Sequence, residues 1–280
     1  MLAAVTIAFV LDLTVVSHLQ HLVAQQQLTN EFRAQLDDGT APVSEGRPAE
    51  DDPQNGEEAK PVLLSDGDPV GLLEIPAIGV REIVVEGTSS GALMAGPGHR
   101  RDTPLPGQVG QSILMGRSAA FGGPFSRIQE LAPGDRISVR TGQGLHYFSV
   151  IGIRYAGDPQ PPRVQSGESR LVLVTARGAP YAPAGAVYVD AQLTSSPQDR
   201  GSRQTTIASL PAADFVLATD TSRVWGLIFA LQFLVAVELS AFAAWRRVGA
   251  RKVWIVFVPL AVLASLLVAT QVTLLLPNLL

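Results

Sequence analysis

The chain of 280 residues contains no cysteine. It can form no disulfide, offer no thiolate to a metal and use no thiolate nucleophile, and cysteine usage says nothing about its redox compartment. Its four histidines are scattered without metal-ligand spacing, so neither a metal site nor a cofactor is expected. The net charge is −4 and no basic patch has the extent that a nucleic-acid partner needs. Large apolar and aromatic side chains are scarce over 37–68, where acidic residues from Asp37 to Asp68 meet only Arg47 and Lys60. Such a stretch cannot bury enough surface to repay its ordering cost, and its carboxylates lack EF-hand spacing, so it reads as a flexible tether.

Long apolar runs, by contrast, are present. Residues 223–245 and 253–276 each reach the roughly 20 residues that a spanning helix needs. A shorter run, 1–23, carries Asp12 and reads as an N-terminal membrane anchor, with a cleaved signal peptide as the alternative. Between the second and third runs, the turn 246–252 holds Arg246, Arg247, Arg251 and Lys252. The positive-inside rule makes that turn cytoplasmic. Residues 17–223, and the tail 277–280, then lie outside a membrane crossed three times. Trp225, Trp245 and Trp254 fall near the ends of these runs, where indole rings prefer to sit. Asp12, Gln232 and Glu238 lie at or near hydrocarbon depth with no basic residue to match, and a carboxylate facing lipid there costs about 2.5 kcal/mol or more. These three residues are candidate contacts to a second integral membrane protein.

Good helix formers at helical spacing from Leu19 to Leu36 suggest a stalk leaving the bilayer, and stalk and acidic tether together make up 24–69. From Val70 the pattern changes to short β-rich runs punctuated by Gly and Pro. Gly71–Ile75, Glu82–Val85, Ser112–Met115, Arg136–Arg140, Leu145–Ile153, Arg170–Thr175 and Ala186–Leu193 read as strands, and Phe125 to Leu131 as a short helix. Leu171 to Val174 is continuously apolar, as an interior strand should be. This pattern predicts an all-β domain over 70–193, closed or nearly closed into a barrel. A second polar linker, 194–222, returns the chain to the membrane, and its patch from Ile207 to Leu217 is placed to pack on the domain.

Within that domain the order Leu73-Glu-Ile-Pro76, Gly96-Pro-Gly-His99, Thr103-Pro-Leu-Pro-Gly107, Met115-Gly116, Gly134-Asp135 and Leu173-Val-Thr175 resembles a sortase, most like the actinobacterial housekeeping-type and related classes. The resemblance implies a closed eight-stranded barrel outside the membrane. It also implies the family's cysteine transpeptidation, in which a sorting signal is cut and joined to an envelope amine. The family's histidine should follow Gly116, its cysteine should follow Thr175, and its arginine should stand about nine residues further on. Arg117, Ala176 and about Gly185 occupy these places. A methyl group cannot attack a carbonyl, and an arginine cannot trade a proton near neutral pH. His99 belongs to a turn where the family uses it structurally, and the facing of His146 is open.

These substitutions lead to the expectation that the chain is not an enzyme but a sortase-like binding or accessory subunit of a cell-envelope membrane complex. Arg117, Arg177, Ser118 and Thr175 are its candidate binding residues, for a peptide or a cell-wall component. Two alternatives remain: a regulator that recognises sorting signals for an active sortase, and a residual or repurposed transpeptidase or hydrolase.

Overall fold

Residues 15–47, 62–201 and 204–280 are described in the computed structural model. Asp12, most of the 1–23 run and the centre of the acidic tether lie outside them.

Three helices and ten strands organise these residues. Helix α1 spans Ser17–Asp37. Gly39, at φ 69°, takes the left-handed conformation that ends a helix without a Cβ penalty. The stalk reading changes here, because α1 lies along the domain rather than away from it. Leu28 and Phe32, four residues apart on one face, pack with Ile83 and Val85. The Gln25 side chain donates to the carbonyls of Ile83 (3.1 Å) and Ala95 (2.8 Å), and it accepts from the Ile83 amide (2.7 Å). A cavity of about 330 Å³ remains between α1 and the strands, with Arg33, Arg81 and Arg140 among its lining. Strands β1 (Gly46–Arg47) and β2 (Val62–Leu63) form a small antiparallel ribbon at the two described ends of the acidic tether.

The remaining strands are β3 (Pro69–Ile75), β4 (Val80–Glu86), β5 (Gly98–His99), β6 (Gly110–Met115), β7 (Arg136–Thr141), β8 (Gly144–Tyr155), β9 (Ser169–Ala179) and β10 (Ala182–Leu193). They close in the order β10-β8-β7-β3-β4-β5-β6-β9. Pairing is antiparallel except for β4 with β5 and β6 with β9, which run parallel. The barrel core gathers Leu73, Ile75, Leu114, Phe125, Phe148, Leu171 and Leu173. The run from Leu171 to Val174 is apolar throughout because β9 is covered on both faces. Leu171 and Leu173 point into the core, whereas Val172, Val174 and Ala176 join a second apolar cluster on the outside.

The short helix expected over Phe125 to Leu131 is a single 3-10 turn, Ile128–Glu130. Phe125, Ile128 and Leu131 recur every third residue and all three are buried, which suits three residues per turn. With Pro124 before it and Pro133 after it, the segment is too short to repay nucleation of an α-helix.

Two further helices, α2 (Val224–Val248) and α3 (Ala250–Leu275), form a hairpin joined at Gly249, where φ is 89°. Ala230, Leu234 and Val237 of α2 pack on Ala264 and Val268 of α3. The outward faces stay apolar, with Trp225, Phe229, Trp254 and Ile255 all more than 60% exposed, as expected of helices solvated by lipid. The expectation of an all-β fold is therefore corrected, and of the three expected membrane helices the first lies largely outside the described residues. Among the described residues two helices, not three, are long and apolar enough to span a bilayer, and the barrel carries a packed α-helix of its own.

Candidate functional site

The parallel pairing of β6 with β9 fixes the position of the site. The ladder runs from Gly110 opposite Ser169 to Met115 opposite Val174, and the Gly116 amide extends it by donating to the Val174 carbonyl (3.0 Å). The Thr175 hydroxyl donates to the Gly116 carbonyl (2.7 Å). A Cβ at Gly116 would stand 2.5 Å from the Phe125 ring, so only glycine fits at this strand end. The two locked ends bring Arg117 and Ala176 together at one rim of the barrel.

Arg117 is fully buried. Its Nη1 donates to the Leu280 main-chain oxygen (2.5 Å), and its Nη2 donates to both the carbonyl and the hydroxyl of Ser90 (2.8 Å each). The guanidinium lies 5.0 Å from the centre of the Phe121 ring, a cation–π contact. Its Nε, also buried, has no partner among the described residues. Burial pushes the Arg117 pKa down to about 10, opposed by the nearby Tyr181, so the group stays protonated at neutral pH. Ser118 directs two donors at one acceptor: its amide (2.9 Å) and its hydroxyl (3.1 Å) both reach the Leu279 carbonyl.

What fills this rim is the segment that follows α3. Leu276 turns extended, at φ −70° and ψ 155°, ahead of Pro277, which cannot donate to a continuing helix. Leu279 and Leu280 are then buried against Leu93, Met115, Val174, Ala176 and Ala186. Asn278 anchors the segment. Its side-chain amide donates to the carbonyls of Thr88 (2.7 Å), Phe215 (2.9 Å) and Ala213 (3.3 Å), and its main-chain amide donates to Ala218 (3.0 Å). The wall it touches belongs to the second polar linker. Asp214 accepts from the Thr88 amide (3.0 Å) and its carbonyl accepts from the Thr88 hydroxyl (2.7 Å). Burial pushes the Asp214 carboxyl up, against the pull of the Thr88 amide. The expected packing of the Ile207 to Leu217 patch thus takes the form of Val216 and Leu217 against the domain, with Leu210 buried and Ile207 itself 64% exposed.

The sequence-derived residues separate clearly. Arg117, Ser118 and Ala176 meet in the groove. Thr175 is buried beneath it, with its hydroxyl committed to Gly116. Arg177 points away: it is exposed, with its guanidinium 4.9 Å from the centre of the Tyr155 ring. Gly185, opposite Arg177 in the β9–β10 pair at φ 135°, contributes no side chain. Gln232 is exposed and Glu238 half-buried on α2. His99 is structural, held between Glu86 (2.8 Å) and the Pro104 carbonyl (3.0 Å). His146 contacts the Thr141 hydroxyl (3.2 Å), and burial pushes its pKa down. Among the described residues no cluster of His, Asp or Glu could hold a metal ion. Sequence reasoning missed Ser90, Asn278, Leu279 and Leu280. The one available signal was a lone asparagine set among Leu274 to Leu280.

A closed barrel with a peptide-filled groove beside the ends of β6 and β9 defines a class. The sortase domain family matches residues 73–194, which makes the barrel a sortase-like domain. Sortase D of Bacillus subtilis (strain 168) is 30% identical over 111 residues, which is 39% of this chain and 54% of that protein. The chain thus spans about half the length of this curated relative. Among solved structures, a Clostridium perfringens Sortase D5 transpeptidase aligns with TM-score 0.46 and 20% identity over 62% of this chain and 99% of its own. The SrtF sortase of Corynebacterium diphtheriae aligns with TM-score 0.43 and 21% identity over 56% and 100%. These matches correct the expectation that the chain is not an enzyme. The matched sortase domain and the curated Sortase D point to an enzyme family.

Proposed function

We propose that the chain serves as a binding subunit of a cell-envelope membrane complex. Its sortase-like barrel, outside the membrane, grips a peptide segment, and its helix pair contacts a second membrane protein. The observation that carries this reading is the groove itself. Two donors from Ser118 hold one peptide carbonyl, and the apolar floor around Ala176 buries two leucines. The membrane contact draws support from Gln232, a polar side chain exposed on a helix otherwise suited to lipid. Purified from native membranes in mild detergent, the chain should bring down another integral membrane protein. Gln232→Leu with Glu238→Leu should lose it. Recovery of monomer alone, with no crosslinked neighbour, would contradict the reading.

The family match favours a second reading, peptide acyl transfer in the same groove. The Ser118 amide is one donor of the kind an oxyanion requires, and the Ser118 hydroxyl then serves as the nucleophile rather than as a second donor. A hydroxyl nucleophile such as Ser118 would also need a base, and the contacts of Ser118 described above include none. Cleavage of a sorting-signal peptide, with a Ser118 adduct seen by mass spectrometry and lost in Ser118→Ala, would establish this reading over simple binding.

A further inference from the structure

The segment Leu276–Leu280 is bound to the barrel as a ligand is bound, yet it continues directly from a membrane helix. Only Leu276 and Pro277 separate the end of α3 from Asn278, so the helix and the groove cannot move independently. The contacts also resemble recognition more than core packing. A side-chain amide reads three carbonyls, one main-chain carbonyl takes two donors, and two leucines join an apolar cluster on the outer face of β9.

The fit is incomplete in a specific way. Arg117 Nε and Asn278 Oδ1 are both buried without a partner among the described residues. Two non-glycine residues around the groove, Phe121 (φ 51°) and Leu217 (φ 58°), hold the left-handed conformation that disfavours a Cβ. The groove therefore has donor capacity that its present occupant does not use, and part of its wall is strained.

We propose that the groove over Ala176 is a receptor site for an apolar peptide of the Asn-Leu-Leu type. Leu276–Leu280 occupies it as a tethered ligand, which an incoming peptide must displace. A peptide with one more acceptor, placed at Arg117 Nε, competes best. Because the tether is α3, a partner that shifts the helix pair opens or closes the site. This inference rests on the binding reading above and assigns the regulation of that groove.

The test uses the full chain in lipid nanodiscs, as wild type and as Asn278→Ala, with Leu279→Ser as a milder second variant. The probe is a fluorescent peptide with the sequence of residues 276–280. Amide exchange is followed at Ser118, which reports the docked segment, and at Val189 on β10, which reports the barrel. Each variant should speed Ser118 exchange and tighten probe binding by about ten-fold or more, with Val189 unchanged. Equal probe binding to wild type and variants would overturn the tether while leaving a peptide groove in place. Failure of the variants to bind the probe at millimolar concentration, with Ser118 exchange accelerated, would overturn both the tether and the binding reading. Unchanged Ser118 exchange in both variants would also overturn the tether.

Discussion

Arg117 shows how a side chain singled out by a sequence motif can take its partners from distant parts of the chain. The sequence motif located it beside Ala176, and the structure keeps them together, but its partners come from segments far away in the chain. Leu280 and Ser90 can be found only by folding. Lysine keeps the charge without the planar fork that reaches both, so Arg117→Lys should lower stability by about 1–3 kcal/mol in denaturant melts. A second residue-scale prediction concerns pH. Burial holds the His146 pKa below its ordinary value. As pH falls below about 6.5, the unfolded chain takes up the proton before the folded one does, so stability falls with pH. The thermal midpoint should therefore drop between pH 7.5 and 5.5, and it should drop less in His146→Gln. Gly107 presses on the same ring: at φ 97° an added Cβ would stand 2.3 Å from it. Gly107→Ala should therefore cost about 2 kcal/mol or more, measured as loss of midpoint.

Among the secondary-structure elements, the strands were the most legible, because alternation and Gly/Pro punctuation are local signals. Each expected strand forms, usually a residue or two longer at one end or both. What was not legible depends on the second face of an element. Nothing in the Leu171 to Val174 run says that its outer half would be covered by Leu279 and Leu280. Likewise, α1 reads equally well as a stalk or as a docked helix until Leu28 and Phe32 meet Ile83 and Val85. Phe32→Ala should therefore cost about 3–5 kcal/mol and release α1, seen as faster amide exchange at Ile83, whose amide bonds Gln25. A free stalk would tolerate the change.

At the scale of the whole molecule, the absence of cysteine becomes a tool. Single cysteines can be added without background labelling. If the barrel lies outside and the basic helix ends around Gly249 inside, Gln165→Cys should react in intact cells with a membrane-impermeant maleimide, and Arg246→Cys should react only after permeabilisation. The reverse pattern would invert the topology. The same approach reaches the centre of the account, where Ala176 lies only 4% exposed beneath the tethered segment. The most direct measurement is the maleimide labelling rate of Ala176→Cys in the full chain, compared with Ala176→Cys combined with Asn278→Ala. If Leu276–Leu280 occupies the groove, the single variant should label about ten-fold or more slowly than the double variant. Rapid labelling of the single variant, at the rate of the double, would show an open groove and contradict the account.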